Sequence, residues 1–287
     1  MATLIDGRKL ARKVNQNTRK QVNLLKQHDI IPELAVIMVG ENPANLLYVH
    51  MKDRMAKRLG IKSIVNHLSD SITQVQLIQI IHKYNRDPKI NGILVQSPLP
   101  KHINEQLIDY QIDPKKDVDG FNPVNMGRLF LNEPGFYPVA CTPLGIIRLL
   151  KEYRVRLKGQ NVVIIGASQI VGRPLLGLMI NANASVTVLN VFTKNLARYT
   201  KSADIIISAT GQVNLLNGSD VKPGCTIIDV GENHDANGKL VGDVNFANAE
   251  KVAGKITPVP GGVGPMTIAM LMQQTVKLCK WHHNLLK

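Results

Sequence analysis

The chain has 287 residues, of which 44% are hydrophobic, 20% charged and only 4% aromatic, and its formal net charge is +14. That length suits one large domain or two of ordinary size, and the composition is that of a folded globular protein, not a disordered one. No apolar run approaches the roughly 20 residues of a membrane-spanning helix, so no membrane partner is expected. The charged start MATLIDGRKLARKV lacks the apolar stretch of a secretion signal.

Cys141, Cys225 and Cys279 are widely spaced and form no C-x-x-C pair. They argue against a disulfide framework or a zinc site and for a reducing compartment, so a cytoplasmic, metal-free chain is expected. The Lys and Arg residues are spread without a run of five, and the aromatics are too few for a base-stacking platform. The positive charge therefore reads as a solvated surface, or one that attracts small anions, and no nucleic-acid partner is expected.

Taken in chain order, residues 7–27 carry apolar positions among Lys, Arg and Gln at the spacing of a basic amphipathic helix. LAVIMVG (34–40) predicts a buried strand, and residues 43–59 predict a helix with Pro43 in its first turn. SIVNHL then predicts a strand, QVQLIQIIHKYN a helix and NGILVQ a second buried strand. Strands alternating with helices imply crossover connections and a mostly parallel sheet.

Residues 111–140 break that rhythm, being rich in Pro, Gly, Asn and Asp, and predict a linker or a functional loop. TPLGIIRLLKEYRV predicts a helix, NVVIIG opens a second α/β series, and residues 265–282 predict a final helix. The expected fold class is α/β. It has two lobes, an N-terminal α/β lobe and a Rossmann-type parallel-sheet lobe, with a cleft between them.

NVVIIGASQIVGRP (161–174) has the strand–turn–helix form in which backbone N–H groups meet a pyrophosphate. The turn carries Gly166, Ser168, Val171 and Gly172 instead of G-x-G-x-x-G, and packing alone also favours small residues there. The following strand SVTVLN ends before Val191, Phe192, Thr193 and Lys194, with no carboxylate to take a ribose 2′-hydroxyl. Neither does an Arg stand there for a 2′-phosphate, only Lys194 close by and Arg173 on the preceding helix. These residues leave NADP and NAD open.

Tyr48 and Lys52 are four residues apart on a predicted helix and so share a face, where a ring can stack on a heterocycle while an amine works at its edge. A surface Tyr beside a solvated Lys has the same spacing. Burial would distinguish them, because desolvation lowers a lysine pKa toward the range useful for proton transfer. Gln96 ends the run GILVQ, and the carboxyl ends of parallel strands face the ligand crevice. KKDVDGFNP (115–123) sets Asp117 and Asp119 in a turn-like loop, where a carboxylate serves as a cap or as a ligand.

Together these segments resemble the bifunctional methylenetetrahydrofolate dehydrogenase/methenyltetrahydrofolate cyclohydrolase family. The resemblance runs nearly end to end: LIDG (4–7), VGENPANLLYVHMK (39–52), GILVQSPLP (92–100), KKDVDGFNPVNMGRL (115–129), CTPLGI (141–146), VVIIGASQIVGRP (162–174), DVGEN (229–233), VGDV (241–244) and ITPVPGGVGPMT (256–267). It implies a folate-binding catalytic domain over residues 1–140, completed by a C-terminal helix at 265–287, and a Rossmann-type dinucleotide domain over 141–264.

By motif, Tyr48 is expected to stack on the pterin or its aminobenzoyl extension. Lys52 is expected as general acid/base, Gln96 as its orienting partner and Asp119 as the group that holds the pterin's amidine-like edge. Val95, Pro98, Leu99, Pro260, Gly261 and Gly262 are expected along the substrate. Gly166, Ala167, Ser168, Ile170, Val171 and Gly172 are expected at the dinucleotide, with Arg173, Val191, Thr193 and Lys194 around its ribose. Gly231, Glu232 and Thr267 complete that set.

The implied reaction oxidises 5,10-methylenetetrahydrofolate with NADP and hydrolyses the 5,10-methenyl product to 10-formyltetrahydrofolate, and the implied assembly is a homodimer. Asn45, Ser97, Ala167, Val191 and Glu232 depart from the family's usual residues. Ser97 stands for Leu beside Gln96 and is expected to loosen packing there. Ala167 and Val191 stand where relatives often carry an Arg or a hydroxyl for the 2′-phosphate, and NAD is the alternative cofactor. A two-lobed dehydrogenase of a small acid, of the shikimate or amino-acid type, is the alternative function; it leaves Tyr48–Lys52 and PGGVGPMT unexplained.

Overall fold

The computed structural model describes residues 1–286. It divides into two compact units. One comprises Lys13–Arg128, Pro134–Cys141 and the chain from Ile268 onward; the other comprises Met1–Arg12, Leu129–Glu133 and Thr142–Thr267.

The elements in chain order are β1 (Thr3–Leu4), α1 (Gly7–Lys26), β2 (Glu33–Val39), α2 (Pro43–Leu59), β3 (Lys62–Leu68), α3 (Gln74–Arg86), β4 (Gly92–Val95), α4 (Glu105–Gln111), α5 (Pro123–Phe130) and α6 (Cys141–Glu152). They continue as β5 (Asn161–Ile165), α7 (Gly172–Asn181), β6 (Ser185–Leu189), α8 (Ala197–Thr200), β7 (Ile205–Ser208), β8 (Thr226–Asp229), β9 (Asn233–His234), β10 (Leu240–Val241), α9 (Phe246–Ala249), β11 (Lys255–Ile256) and α10 (Val263–His282).

The first unit holds a three-stranded parallel sheet in the order β3-β2-β4. Every residue of β2 is buried, which is why ELAVIMV reads as an unbroken run: a central parallel strand is covered on both faces. Its core gathers Ile37, Val39, Leu77, Ile81, Ile93 and Ile108. The helix α2 is delimited at both ends. Asn42 accepts hydrogen bonds from Ala44 N and Asn45 N, Pro43 occupies the first turn, and Gly60 ends the helix in the left-handed conformation.

The segment at 111–140 is not wholly irregular, because α5 lies inside it. That helix is only eight residues long, and it starts on a local device: Asn122 Oδ1 accepts from Val124 N, followed by Pro123 in the first turn. A period of 3.6 has too few turns to show over that length.

The second unit holds a six-stranded parallel sheet in the order β1-β11-β8-β7-β5-β6. The chain runs from β5 out to β6 and then back across β5 to β7, so the strand order reverses at the β5/β7 pair. Doubly wound sheets bind ligands at such a point, beyond the carboxyl ends of the strands. The two-residue β1 pairs with β11, so the first residues of the chain belong to this sheet. Gly7 fixes the adjoining turn: a Cβ there would sit 1.7 Å from the Gly262 carbonyl oxygen, so LIDG and PGGVG are shaped to one another. Among the described residues no helix is long and apolar enough to cross a membrane.

Candidate functional site

In the three-stranded unit, Gln96 follows β4 directly, and its backbone N–H donates to Ile37 O on β2 at 2.8 Å. The side chain is buried and bifunctional. Its Nε2 donates to Ser97 O at 2.7 Å, which leaves Oε1 to accept 2.9 Å from Lys52 Nζ. Lys52 and Tyr48 both lie on α2, as their spacing predicts, and both are half-buried, which the spacing left open.

The turn after Gln96 contains a cis Ser97–Pro98 peptide. The buried Asn45 donates from Nδ2 to Pro98 O at 3.0 Å, tying α2 to this turn. The sequence marks Asn45 only as a departure from the family's usual residue; its place one turn before the Tyr48–Lys52 pair is the available signal. Ser97 is exposed, and it is its backbone carbonyl that meets Gln96, so nothing here shows the loosened packing expected of that substitution. Val95 and Leu99 are half-buried and Pro98 is exposed on the same turn.

The two carboxylates of KKDVDG separate into different roles. Asp117 is buried and accepts from Gly120 N, Phe121 N, Asn122 N and Asn125 Nδ2 at 2.9–3.3 Å, so it organises the loop. Burial pushes its pKa up to about 6, against the pull of these donors. Asp119 is half-buried, and burial raises its pKa while the charge of Lys52 pulls it back. Lys52, Gln96 and Asp119 thus form one electrostatic group.

A further carboxylate was not anticipated. Asp109, at the end of α4, has its pKa raised to about 7 by burial, then by the charges of Asp117, Asp119 and Glu105. The spacing of EQLIDYQ shows Glu105 one turn earlier but not the burial, nor Asp117 and Asp119, which arrive from a different loop. Cys141 is buried as well, its thiol pKa raised by burial and by Asp119, which leaves it no thiolate for nucleophilic work.

In the six-stranded unit, the turn after β5 has the form a pyrophosphate requires. Gly166 takes φ +115°, and a Cβ on it would lie 2.3 Å from Ala209 O, beyond the end of β7. A Cβ on Gly172 would lie 2.0 Å from Gly166 O, so the two glycines let the turn close onto the start of α7. Ser168 Oγ accepts from Val171 N at 3.2 Å, and no side chain caps α7 at Val171. Arg173 N donates to Ser168 O at 3.0 Å and Pro174 carries no N–H, so among the described first-turn groups it is Gly172 N that stands at the helix start for an anion. Ala167 is half-buried and Ile170 exposed on this turn.

Arg173 is exposed, and its Nε donates to Ala167 O at 3.2 Å, which holds the guanidinium against the turn. After β6, Thr193 Oγ1 accepts from Asn190 N at 3.0 Å and closes a turn that leaves Val191, Phe192 and Lys194 exposed. Gly231 is buried after β8, and Glu232 is exposed, with its carboxylate against Gly264: a Cβ there would lie 2.6 Å from Glu232 Oε1. A carboxylate at the start of α10 is favourably placed toward the helix dipole. Gly261 and Gly262 are buried and Pro260 exposed after a cis Val259–Pro260 bond, and Thr267 Oγ1 shares a 2.9 Å hydrogen bond with Thr142 Oγ1. Among the described residues no cluster of His, Cys, Asp and Glu could hold a metal ion.

The sequence matches the catalytic domain of tetrahydrofolate dehydrogenase/cyclohydrolase over residues 5–119 and the NAD(P)-binding domain of the same family over residues 140–283. It is 53% identical over 281 residues to the bifunctional protein FolD of Levilactobacillus brevis, covering 98% of each chain. The bifunctional FolD methylenetetrahydrofolate dehydrogenase/cyclohydrolase of Campylobacter jejuni superposes with a TM-score of 0.95 at 49% identity, over 98% of this chain and 99% of that one. The N5,N10-methylenetetrahydrofolate dehydrogenase-cyclohydrolase of Trypanosoma brucei, solved in complex with NADP and an inhibitor, superposes with a TM-score of 0.93 at 36% identity, over 98% of both chains.

Proposed function

We propose that Lys52, held by Gln96, is the general acid/base of this chain, which belongs to the tetrahydrofolate dehydrogenase/cyclohydrolase family and carries both of its activities. It oxidises 5,10-methylenetetrahydrofolate to the 5,10-methenyl compound and hydrolyses that to 10-formyltetrahydrofolate. The observation that carries the assignment of Lys52 is its 2.9 Å hydrogen bond to Gln96 Oε1, which fixes the amine at the end of β4. Hydrolysis needs such a group. Water adds to the methenyl carbon and gives up a proton, and the C–N bond then breaks as a proton reaches the departing ring nitrogen. One amine, alternately accepting and donating, serves both transfers.

Tyr48 would stack on the flat heterocycle beside it. Asp119, when ionised, would accept two parallel N–H bonds from the pterin's amidine-like edge. The three-stranded unit is proposed as the folate-binding part, and Pro260, Gly261 and Gly262 as further substrate contacts. Hydride transfer requires alignment more than acid or base, so the residues serving that step act by position.

NADP is the proposed hydride acceptor and would be held by Gly166, Ala167, Ser168 and the start of α7, with Gly231 and Thr267 toward its nicotinamide end. The absence of a carboxylate after β6, with Lys194 there and Arg173 at the turn, supports NADP over NAD. Three free, buried cysteines support a reducing, cytoplasmic setting. A homodimer is proposed as well, with the exposed Ile180 and Phe192 as apolar side chains that a partner subunit would cover. Light scattering measures the last point directly.

The deciding experiment follows turnover of methylenetetrahydrofolate with NADP and separately with NAD, then decay of the methenyl product, in the natural chain and in Lys52→Met. A higher kcat/KM with NAD overturns the cofactor assignment. Full hydrolysis by the variant overturns the role of Lys52.

A further inference from the structure

The most densely bonded carboxylate of the six-stranded unit belongs to none of the groups above. Asp243 is fully buried, and its two oxygens accept five hydrogen bonds. Oδ2 takes Ser208 Oγ at 3.0 Å, Thr210 N at 2.7 Å and Thr210 Oγ1 at 2.9 Å; Oδ1 takes Gln212 N at 3.1 Å and Asn233 Nδ2 at 3.0 Å. These donors come from two separate stretches, the end of β7 with the segment that follows it, and the segment after β8.

Asp229, at the end of β8, reciprocates. It accepts from Gly231 N at 3.0 Å, Asp243 N at 2.9 Å and Val244 N at 2.9 Å. Each carboxylate passes over a glycine of the opposite segment. A Cβ on Gly231 would lie 2.1 Å from Asp243 Oδ1, and one on Gly242 would lie 1.9 Å from Asp229 Oδ2. The motifs DVG (229–231) and VGD (241–243) are therefore two halves of one clasp: each supplies a carboxylate, and each supplies the gap for the other's.

The clasp acts on the ligand crevice of its own sheet. The segment that Asp243 holds by Thr210 begins with Ala209, whose carbonyl meets Gly166 at the strand-order reversal. We propose that Asp243 is a positioning residue for the dinucleotide, setting the segments after β7 and β8 so that the Gly166 turn and the Gly231–Glu232 segment face the cofactor at fixed separation. This rests on the reading that the dinucleotide binds at that turn. Asp243 touches backbone and neutral donors that would otherwise be buried without partners, so replacing one oxygen by an amide sets donor against donor.

The test uses the full-length protein and both of its activities. Asp243→Asn should raise KM for NADP by about tenfold or more, the effect of losing one hydrogen bond to a charged group, with hydrolysis of added methenyltetrahydrofolate within about twofold of the natural rate. Thr210→Val removes the hydroxyl that donates to Asp243 and accepts from Gln212 N, leaves the Thr210 backbone bond in place, and should raise the same KM by about threefold. It stands in should Asp243→Asn fail to fold. Calorimetric titration with NADP supplies the affinity independently of turnover. An unchanged NADP affinity, or an equal loss of both activities, overturns the proposal. Gly166→Ala separates the two ideas: if it too leaves NADP affinity unchanged, it is the placement of the dinucleotide that fails.

Discussion

The three-stranded and six-stranded units carry their proposed chemistry in different ways. In the first, the working groups are side chains: an amine on α2, an amide after β4 and carboxyls of the 117–119 loop, held at hydrogen-bond distance or by charge. In the second, backbone geometry dominates. Gly166, Gly172, Gly231 and Gly242 are places where no Cβ fits, and the buried Asp229 and Asp243 hold the loops between them. A group that moves a proton needs a particular functional atom, whereas a site that binds a phosphate-bearing ligand needs N–H groups and room. Substitutions should therefore act on chemistry in one unit and on affinity in the other.

The largest expected effect is at Lys52. Lys52→Met should slow hydrolysis of methenyltetrahydrofolate by at least about a hundredfold, the usual contribution of general acid–base catalysis, while folate affinity changes far less. Stopped-flow decay of the methenyl absorbance measures the first and equilibrium binding the second; equal losses in both would make Lys52 a binding residue only. Next is Gly166→Ala, where a methyl group 2.3 Å from Ala209 O forces the turn open. KM for NADP should rise about tenfold or more, with little change in hydrolysis. Loss of hydrolysis alone would erase the proposed division of labour.

Gln96→Ala removes the acceptor of Lys52 and should reduce hydrolysis by about tenfold, shifting its pH profile as the amine loses its partner. An unmoved profile would count against the orienting role. The smallest effect concerns stability and Asp109. Its folded pKa of about 7 lies above the usual value of 3.8, so the folded state binds this proton more tightly than the unfolded chain does. The stabilisation is complete below pH 3.8 and is lost as pH rises through 7. Urea midpoints should therefore fall between pH 5 and pH 7.5 in the natural chain and fall less in Asp109→Asn. The same slope in both chains would show that Asp109 is not the titrating group.

Much of this could be read from the sequence, because local physics writes itself into local pattern. The run ELAVIMV, the Asn42–Pro43 start of α2 and the spacing of Tyr48 and Lys52 each state what a short stretch of chain will do. So did the small residues at 166–172, although the sequence alone could not separate a packing turn from a phosphate turn. Reading by resemblance reached further and supplied the family, both activities and the expected partners of Lys52.

What remained was decided by contacts between residues far apart in the chain. Lys52 meets Gln96 across 44 positions, and Asp243 meets Thr210 across 33. Asp117 and Asp119, nearly identical in sequence context, part ways only because one is surrounded by four N–H donors and the other lies beside Lys52. Asp109 gains its raised pKa first from burial and then mainly from Asp117 and Asp119 on another loop. Periodicity and capping report on a chain's own neighbours, whereas desolvation and charge depend on whatever packs there. The sequence by itself thus determined most of the elements and the family, and it named the candidate reactive side chains. Only the tertiary structure decided which carboxylates organise, which one interacts with the lysine, and why DVG and VGD occur together: each buried carboxylate lies over the other segment's glycine, where a side chain would leave no room.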